Sequence, residues 1–212
     1  MASLTVAAAP RVVPASSSLK IVLKEALDHP FYSWPRTLLS YSLEFESGLA
    51  PGERLVLTDG SGAVLPYQIS DAKVENGRMR SATVSWFSNL GAGETKTFEV
   101  KRGPGQEWPA GVRERREGQT LVLDTGAMKV RIPASQRPAG DAPGPVMQVS
   151  RGGSWMGDSR VVAPGSRVEE MTTERLESGP LFATYRVTYR LAPKGTYTAA
   201  LRLLAGSDYF EF

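Results

Sequence analysis

Leu181, Phe182, Ala183, Thr184, Tyr185, Arg186, Val187, Thr188, Tyr189, Arg190 is the run that decides the fold. Leu181, Ala183, Tyr185, Val187 and Tyr189 alternate with partners that are mostly polar, the period of two of a strand with one face buried. A turn at residues 192–195 follows, and then Tyr197, Ala199, Leu201 and Leu203 alternate with Thr198, Ala200, Arg202 and Leu204. After Ala205, Gly206 and Ser207 a third strand opens at Asp208 and runs through Tyr209, Phe210, Glu211 and Phe212. A sheet edge that ends on two phenylalanines without a charged tail invites pairing. The expectation is therefore that the chain is the front part of something longer, with any chemistry beyond Phe212.

Working outward, the same pattern recurs. Residues 19–23 read as a strand, and the aromatic run from Phe31 through Trp34 to Phe45 leads into a second. Residues 54–57 and 63–69 flank Asp59, Gly60, Ser61 and Gly62, which predicts a hairpin whose second arm, carrying Pro66, lies at an edge or bulge. Ala82, Val84 and Trp86 alternate with Thr83, Ser85 and Phe87, and the turn at Gly91, Ala92 and Gly93 predicts another hairpin with residues 95–101. Residues 120–123 and 127–132 predict a third around Asp124, Thr125 and Gly126. Residues 134–145 form a long loop, and strands follow at 146–150, 160–162 and 168–176. No segment has a helical period with caps, so the fold class is all-β. The Gly- and Pro-rich tract 103–111 marks a boundary near Pro109. The organisation is a linker or processed leader over 1–18, a small β-barrel or sandwich over 19–108, and a second, incomplete antiparallel β-sandwich over 109–212.

Composition narrows the function classes. The chain has 212 residues, 41% hydrophobic, with 21 Gly and 15 Pro, which suits short strands joined by turns. Without cysteine it has no disulfide, thiolate metal site or thiol nucleophile. The single His29 cannot build a multi-histidine metal site and reads as a loop histidine beside Pro30; neither metal nor cofactor is expected. No window nears the roughly 18 apolar residues of a membrane helix, so no membrane partner is expected. The net charge of +3 and the cluster Arg113, Arg115, Arg116, broken by Glu114 and Glu117, give a solvated face rather than a nucleic-acid stripe. The Ala-, Pro- and Ser-rich opening resembles the tract after a removed export signal, which places the protein outside the cell or in the periplasm; an artificial or trimmed start has the same look.

Motifs for dinucleotide, phosphate or calcium binding, a serine elbow and a metalloprotease helix are lacking. Glu169 and Glu170 are neighbours on a strand, expected on opposite faces and so unable to act as a dyad. Asp124, Asp158 and Asp208 lie beside turns, where Asp bonds its own backbone. Aromatic rings and arginines remain. Trp34, Trp108, Trp155 and Tyr67 offer flat faces on which a sugar stacks, and Arg113 and Arg116 offer forked donors for the carboxylates of an acidic glycan. Trp86, amid apolar partners, reads as core.

A resemblance sharpens this. Ser33, Trp34, Pro35, Arg36, Thr37, Leu38 and Leu39, the Asp59-Gly60 turn, Leu65, Pro66, Tyr67, Gln68 and Ile69, and the stretch Ala82, Thr83, Val84, Ser85, Trp86, Phe87 resemble the N-terminal domain of large bacterial carbohydrate-active enzymes, in particular the exo-type rhamnogalacturonan lyase group, whose N-terminal module is a RIFT-type barrel. Residues 123–130 and 176–183 resemble the opening strands of the β-supersandwich that follows. The resemblance spans about residues 30–212. It implies a non-catalytic N-terminal portion of a polysaccharide-degrading enzyme, lyase or glycoside hydrolase, that supports the glycan cleft beside a downstream catalytic domain of the same gene product. It carries over no catalytic residue. Two alternatives stay open: an autonomous carbohydrate-binding module for acidic, pectic polysaccharide, and a small self-contained glycan lyase or hydrolase using His29, a tyrosine or an arginine for proton transfer.

Overall fold

The computed structural model describes residues 11–27, 29–138 and 141–212. The first ten residues of the expected leader, Asp28 beside His29, and residues 139 and 140 of the expected long loop lie outside the described residues. The chain is all-β, with 61% in strands and no helix among the described residues. It divides into two compact units, Met1–Trp108 and Pro109–Phe212.

The first unit contains β1 (Arg11–Val13), β2 (Leu19–Lys24), β3 (Trp34–Leu49), β4 (Arg54–Asp59), β5 (Gln68–Glu75), β6 (Arg78–Leu90) and β7 (Thr95–Gly103). One sheet has the order β1-β3-β6-β5 and the other β2-β7-β4. Leu43, Ala82, Val84 and Trp86 of the first sheet and Ile21, Leu55, Leu57, Phe98 and Val100 of the second are buried. Each such aliphatic or aromatic side chain contributes about 1.5–3 kcal/mol. The Trp86 ring lies 5.3 Å from Phe98 and stacks on Tyr41 at 5.1 Å, so the two sheets share this core. Of the two forms expected here, barrel or sandwich, the described residues make the sandwich, since no sheet closes into a barrel.

Three local expectations change. Residues 11–13, inside the expected leader, are a strand that pairs in parallel with β3 and buries Val13 completely. The turn at Asp59 forms, with its carboxylate accepting from the Ser61 and Ala63 amides, but after Leu65 the chain leaves for the other sheet. Pro66 has no N–H to continue the ladder. Residues 82–87 and 95–101 are likewise not a hairpin: β3 and β5 hold the two edges of β6 as far as Ser85, and β7 pairs with β2 and β4 instead. At the far end of β3, Ser47 and Gly48 have positive φ, and Arg78 and Arg102 donate to the carbonyls this bulge frees, Arg78 to Ser47 and Gly48 and Arg102 to Glu46 and Gly48. A side chain at Gly48 would meet Arg78 Cβ at 2.9 Å.

The second unit contains β8 (Arg113–Glu117), β9 (Thr120–Asp124), β10 (Lys129–Pro133), β11 (Gln148–Arg151), β12 (Ser154–Met156), β13 (Arg167–Ser178), β14 (Phe182–Ala192), β15 (Thr196–Leu204) and β16 (Phe210–Glu211). The hairpin around Asp124 forms as β9 and β10. One sheet runs β12-β11-β10-β9-β8 and the other β13-β14-β15-β16. Between them lie Leu123, Val130 and Ile132 from one side and Ala183, Tyr185, Val187, Tyr189, Leu201 and Leu203 from the other. The alternating residues Ala183, Tyr185, Val187 and Tyr189, with Leu201 and Leu203, are thus the inner face of β14 and β15. Residues 160–162 make only one bridge, Arg160 to Pro143, rather than a strand. The residues 113–117, read as a solvated linker face, form edge strand β8.

Candidate functional site

The outer face of the five-stranded sheet gathers more of the predicted binding residues than any other surface described. Strand register sets it. Arg113 pairs with Asp124, Asp124 with Lys129, Lys129 with Ser150 and Ser150 with Trp155, so these five share one row across all five strands. Directly paired residues lie on one face, and residues two apart return to it. The adjoining row is Arg115, Val122, Arg131 and Gln148. At about 4.8 Å per strand the row from Arg113 to Trp155 spans about 19 Å. Leu121, Leu123, Val130, Ile132 and Val149 take the opposite face, in the core.

Arg131 organises this surface. Its guanidinium lies 4.0 Å from the centre of the Trp155 ring, donates to Gln148 Oε1 at 2.7 Å and to Glu117 Oε2 at 3.2 Å. The cation stacked on the ring and the fork to Gln148 and Glu117 fix both Trp155 and Arg131. Arg113 donates to Asp124 Oδ2 at 3.0 Å, and Arg115 is paired with Glu117. Lys129 is exposed and has no ion pair among the described residues. Arg113, Arg115, Lys129 and Arg131 outnumber Asp124 and Glu117 by two, so the face is locally cationic with one half-buried indole at its end.

The other predicted binding residues are placed elsewhere. Arg116 points to the opposite side of β8 from Arg113 and donates to the Gly118 carbonyl at 3.1 Å. Tyr67 is a structural pin: its hydroxyl donates to Leu55 O at 2.8 Å and accepts from Leu55 N at 3.2 Å, standing in for a neighbouring strand at the β4 edge. Burial raises its pKa. Trp108 is half-buried, its Nε1 without a hydrogen-bond partner among the described residues. Trp34 packs edge-on against Tyr32 at 5.4 Å. Trp86 is fully buried, as its apolar partners predict.

The carboxylates read differently from their spacing. Glu169 and Glu170, expected on opposite faces, both reach Arg190, at 3.8 and 3.4 Å, because β13 carries a bulge between Val168 and Glu170 that breaks the alternation. Arg190 and Arg167, the latter 3.8 Å from Glu169, together balance the two carboxylates. His29 is exposed, and its Nδ1 accepts from the Phe31 amide at 3.3 Å. Among the described residues no group of three His, Asp or Glu side chains is placed to hold a metal ion, and no helix is long and apolar enough to cross a membrane.

Sequence reasoning singled out Arg113 and Trp155 but missed Lys129 and Arg131. The signal for both was the hairpin register: once Asp124 is set against Lys129, residues 129 and 131 must share the face of Arg113 and Arg115. No protein-family model matches the chain, and neither does any curated protein.

Proposed function

We propose that this chain is a non-catalytic, glycan-facing β portion of a polysaccharide-degrading enzyme, which engages acidic polysaccharide along the outer face of β8–β12. The observation that carries this reading is the register row joining Arg113, Lys129 and Trp155, with Arg131 fixed against the indole. An extended polyuronate has carboxylates spaced along a ribbon and apolar C–H faces between them. A sheet face that sets a guanidinium, an ammonium group and an indole along one row of about 19 Å matches both features. The resemblance of residues 30–212 to the exo-type rhamnogalacturonan lyase group supports membership of such an enzyme, with a downstream catalytic domain of the same gene product as partner and an extracellular or periplasmic site of action. That support is analogy of pattern.

Calorimetric titration of the purified chain tests it. Polygalacturonate gives saturable heats that weaken with salt, because the contacts are between opposite charges. Trp155→Ala and Lys129→Ala each weaken the affinity about tenfold, the loss of roughly 1.4 kcal/mol. Neutral polymers give no heat at this face. Flat heats with polygalacturonate, or turnover of it that a point change in this chain abolishes, would overturn the reading.

A further inference from the structure

Where β6 hands over to β7, the first unit carries a cleft of about 430 Å3 lined by Asp59, Ser61, Leu65, Phe87, Asn89 and Lys96, among others. That volume falls in the roughly 300–1,000 Å3 range of small-ligand clefts. Two uncovered strand edges border it. β4 covers β7 only as far as the pair Asp59–Phe98, so Thr95, Lys96 and Thr97 have no strand on that side. β5 covers β6 only as far as Gln68–Ser85, which leaves Phe87, Ser88 and Asn89 equally open. Main-chain donors and acceptors on such edges require partners.

The charges of the cleft are already spent within the protein. The Asp59 carboxylate accepts from the Ser61 amide at 2.9 Å and its hydroxyl at 2.6 Å, and the Ser61 hydroxyl holds its pKa below the ordinary value. Lys96 Nζ donates to Asn89 Oδ1 at 2.6 Å and lies 3.6 Å from Glu94. With its oxygen so engaged, Asn89 keeps two amide N–H donors, and the Thr95 and Thr97 hydroxyls have no partner among the described residues. The lining thus offers neutral donors and acceptors beside the apolar Leu65, and the Phe87 ring carries the Arg36 guanidinium 3.4 Å from its centre. Trp34 pairs with Leu90 and Thr37 with Ser88, so the Tyr32–Trp34 aromatic pair sits at this same end of the sheet.

We infer that this cleft is a second carbohydrate site, one that takes a neutral sugar of one or two rings. Sugar hydroxyls both donate and accept, as two open main-chain edges and a set of hydroxyl and amide groups demand, and C–H faces suit the apolar Leu65. An uncharged ligand suits a cleft whose aspartate and lysine are internally bonded. An added peptide strand is disfavoured: each open edge is three residues long and ends at a turn, against the roughly 5–6 residues of an ordinary strand. The site differs from the cationic face of β8–β12 in both place and ligand.

Amide-resolved NMR of the whole chain, titrated at millimolar concentrations with neutral monosaccharides and disaccharides, decides the matter. The expected result is saturable shifts centred on residues 59–61, 87–89 and 95–97 for at least one neutral sugar. Asn89→Ala and Thr97→Val weaken that binding about tenfold. The map on the unaltered chain is the deciding readout, whatever the variants' stability. Absence of shifts with every neutral sugar, shifts centred elsewhere, shifts there only with uronates or an extended peptide, or unchanged affinity in both folded variants would each overturn the inference.

Discussion

Tyr185 and Tyr189 show how single residues in this chain join an apolar row to a polar end. Both rings are buried in the second unit, 1% and 0% exposed, yet Tyr185 donates to Glu114 Oε2 at 2.6 Å and Tyr189 to the Pro143 carbonyl at 2.9 Å. Burial raises both pKa values, and the Glu114 carboxylate raises that of Tyr185 further. In the unfolded chain both titrate near 10. The neutral phenol is therefore favoured by folding: the stability it contributes is fully present below about pH 10 and is lost as the pH rises above it. Urea unfolding followed from pH 8 to 11 should show a falling midpoint above about pH 10, flattened in the Tyr185→Phe, Tyr189→Phe double variant; equal slopes in both proteins would refute the assignment. At neutral pH Tyr185→Phe should cost about 1–2 kcal/mol, since a charged acceptor loses its donor. At this scale much was legible: the alternation of residues 181–189 identified both tyrosines as inward. What stayed hidden was their partners, because Glu114 is 71 positions from Tyr185 and no local pattern links them. Trp155 is a similar case. The sequence marks its ring as a flat face, but Arg131 reaches that ring only through two successive strand pairings.

At the scale of elements, turn chemistry and sheet membership separate. Asp59 and Gly62, and Gly91 and Gly93, set turns where the sequence predicts them, since Asx bonding and positive φ are local properties. Whether two strands joined by a turn then pair depends on which edges other strands already hold, and β3 and β5 hold both edges of β6 as far as Ser85. The hairpin of β9 and β10 was legible because its strands are short and pair directly across Asp124–Gly126. The tract 103–111 reads as a boundary, and its glycines turn out to be places of close approach. A Cβ at Gly111 would come within 2.1 Å of the Pro180 carbonyl oxygen and 2.6 Å of Ala205 Cβ, while the Gly111 amide donates to Gly179 O at 3.0 Å. The entry to β8 is thus pressed against the start of β14 and the end of β15. Gly111→Ala should destabilise the second unit by about 1–3 kcal/mol, as overpacking does, whereas Pro109→Ala, at an exposed position, should change stability by less than about 0.5 kcal/mol. Thermal or urea unfolding of the two variants measures the difference, and equal effects would mean that the close approach at Gly111 is relieved at no cost.

For the whole molecule, each unit has buried side chains contributed by two sheets. In the second, the core cluster runs from Val112 to Leu203 and its half-buried neighbours from Leu121 to Phe210, all within Pro109–Phe212. A stretch of about 100 residues with a two-layer core is of the size that folds by itself. Residues 109–212 produced alone should therefore give a dispersed amide spectrum and one cooperative unfolding transition. Every residue of the face spanning β8–β12 also lies in this fragment, from Arg113 to Trp155. If that face binds acidic polysaccharide, the fragment should bind polygalacturonate with the affinity of the whole chain and should lack any response to neutral sugars that arises in the first unit. A fragment that folds but shows no polygalacturonate affinity, beside a whole chain that does, would move the binding site away from β8–β12; a fragment without a cooperative transition would show that its core does not suffice on its own.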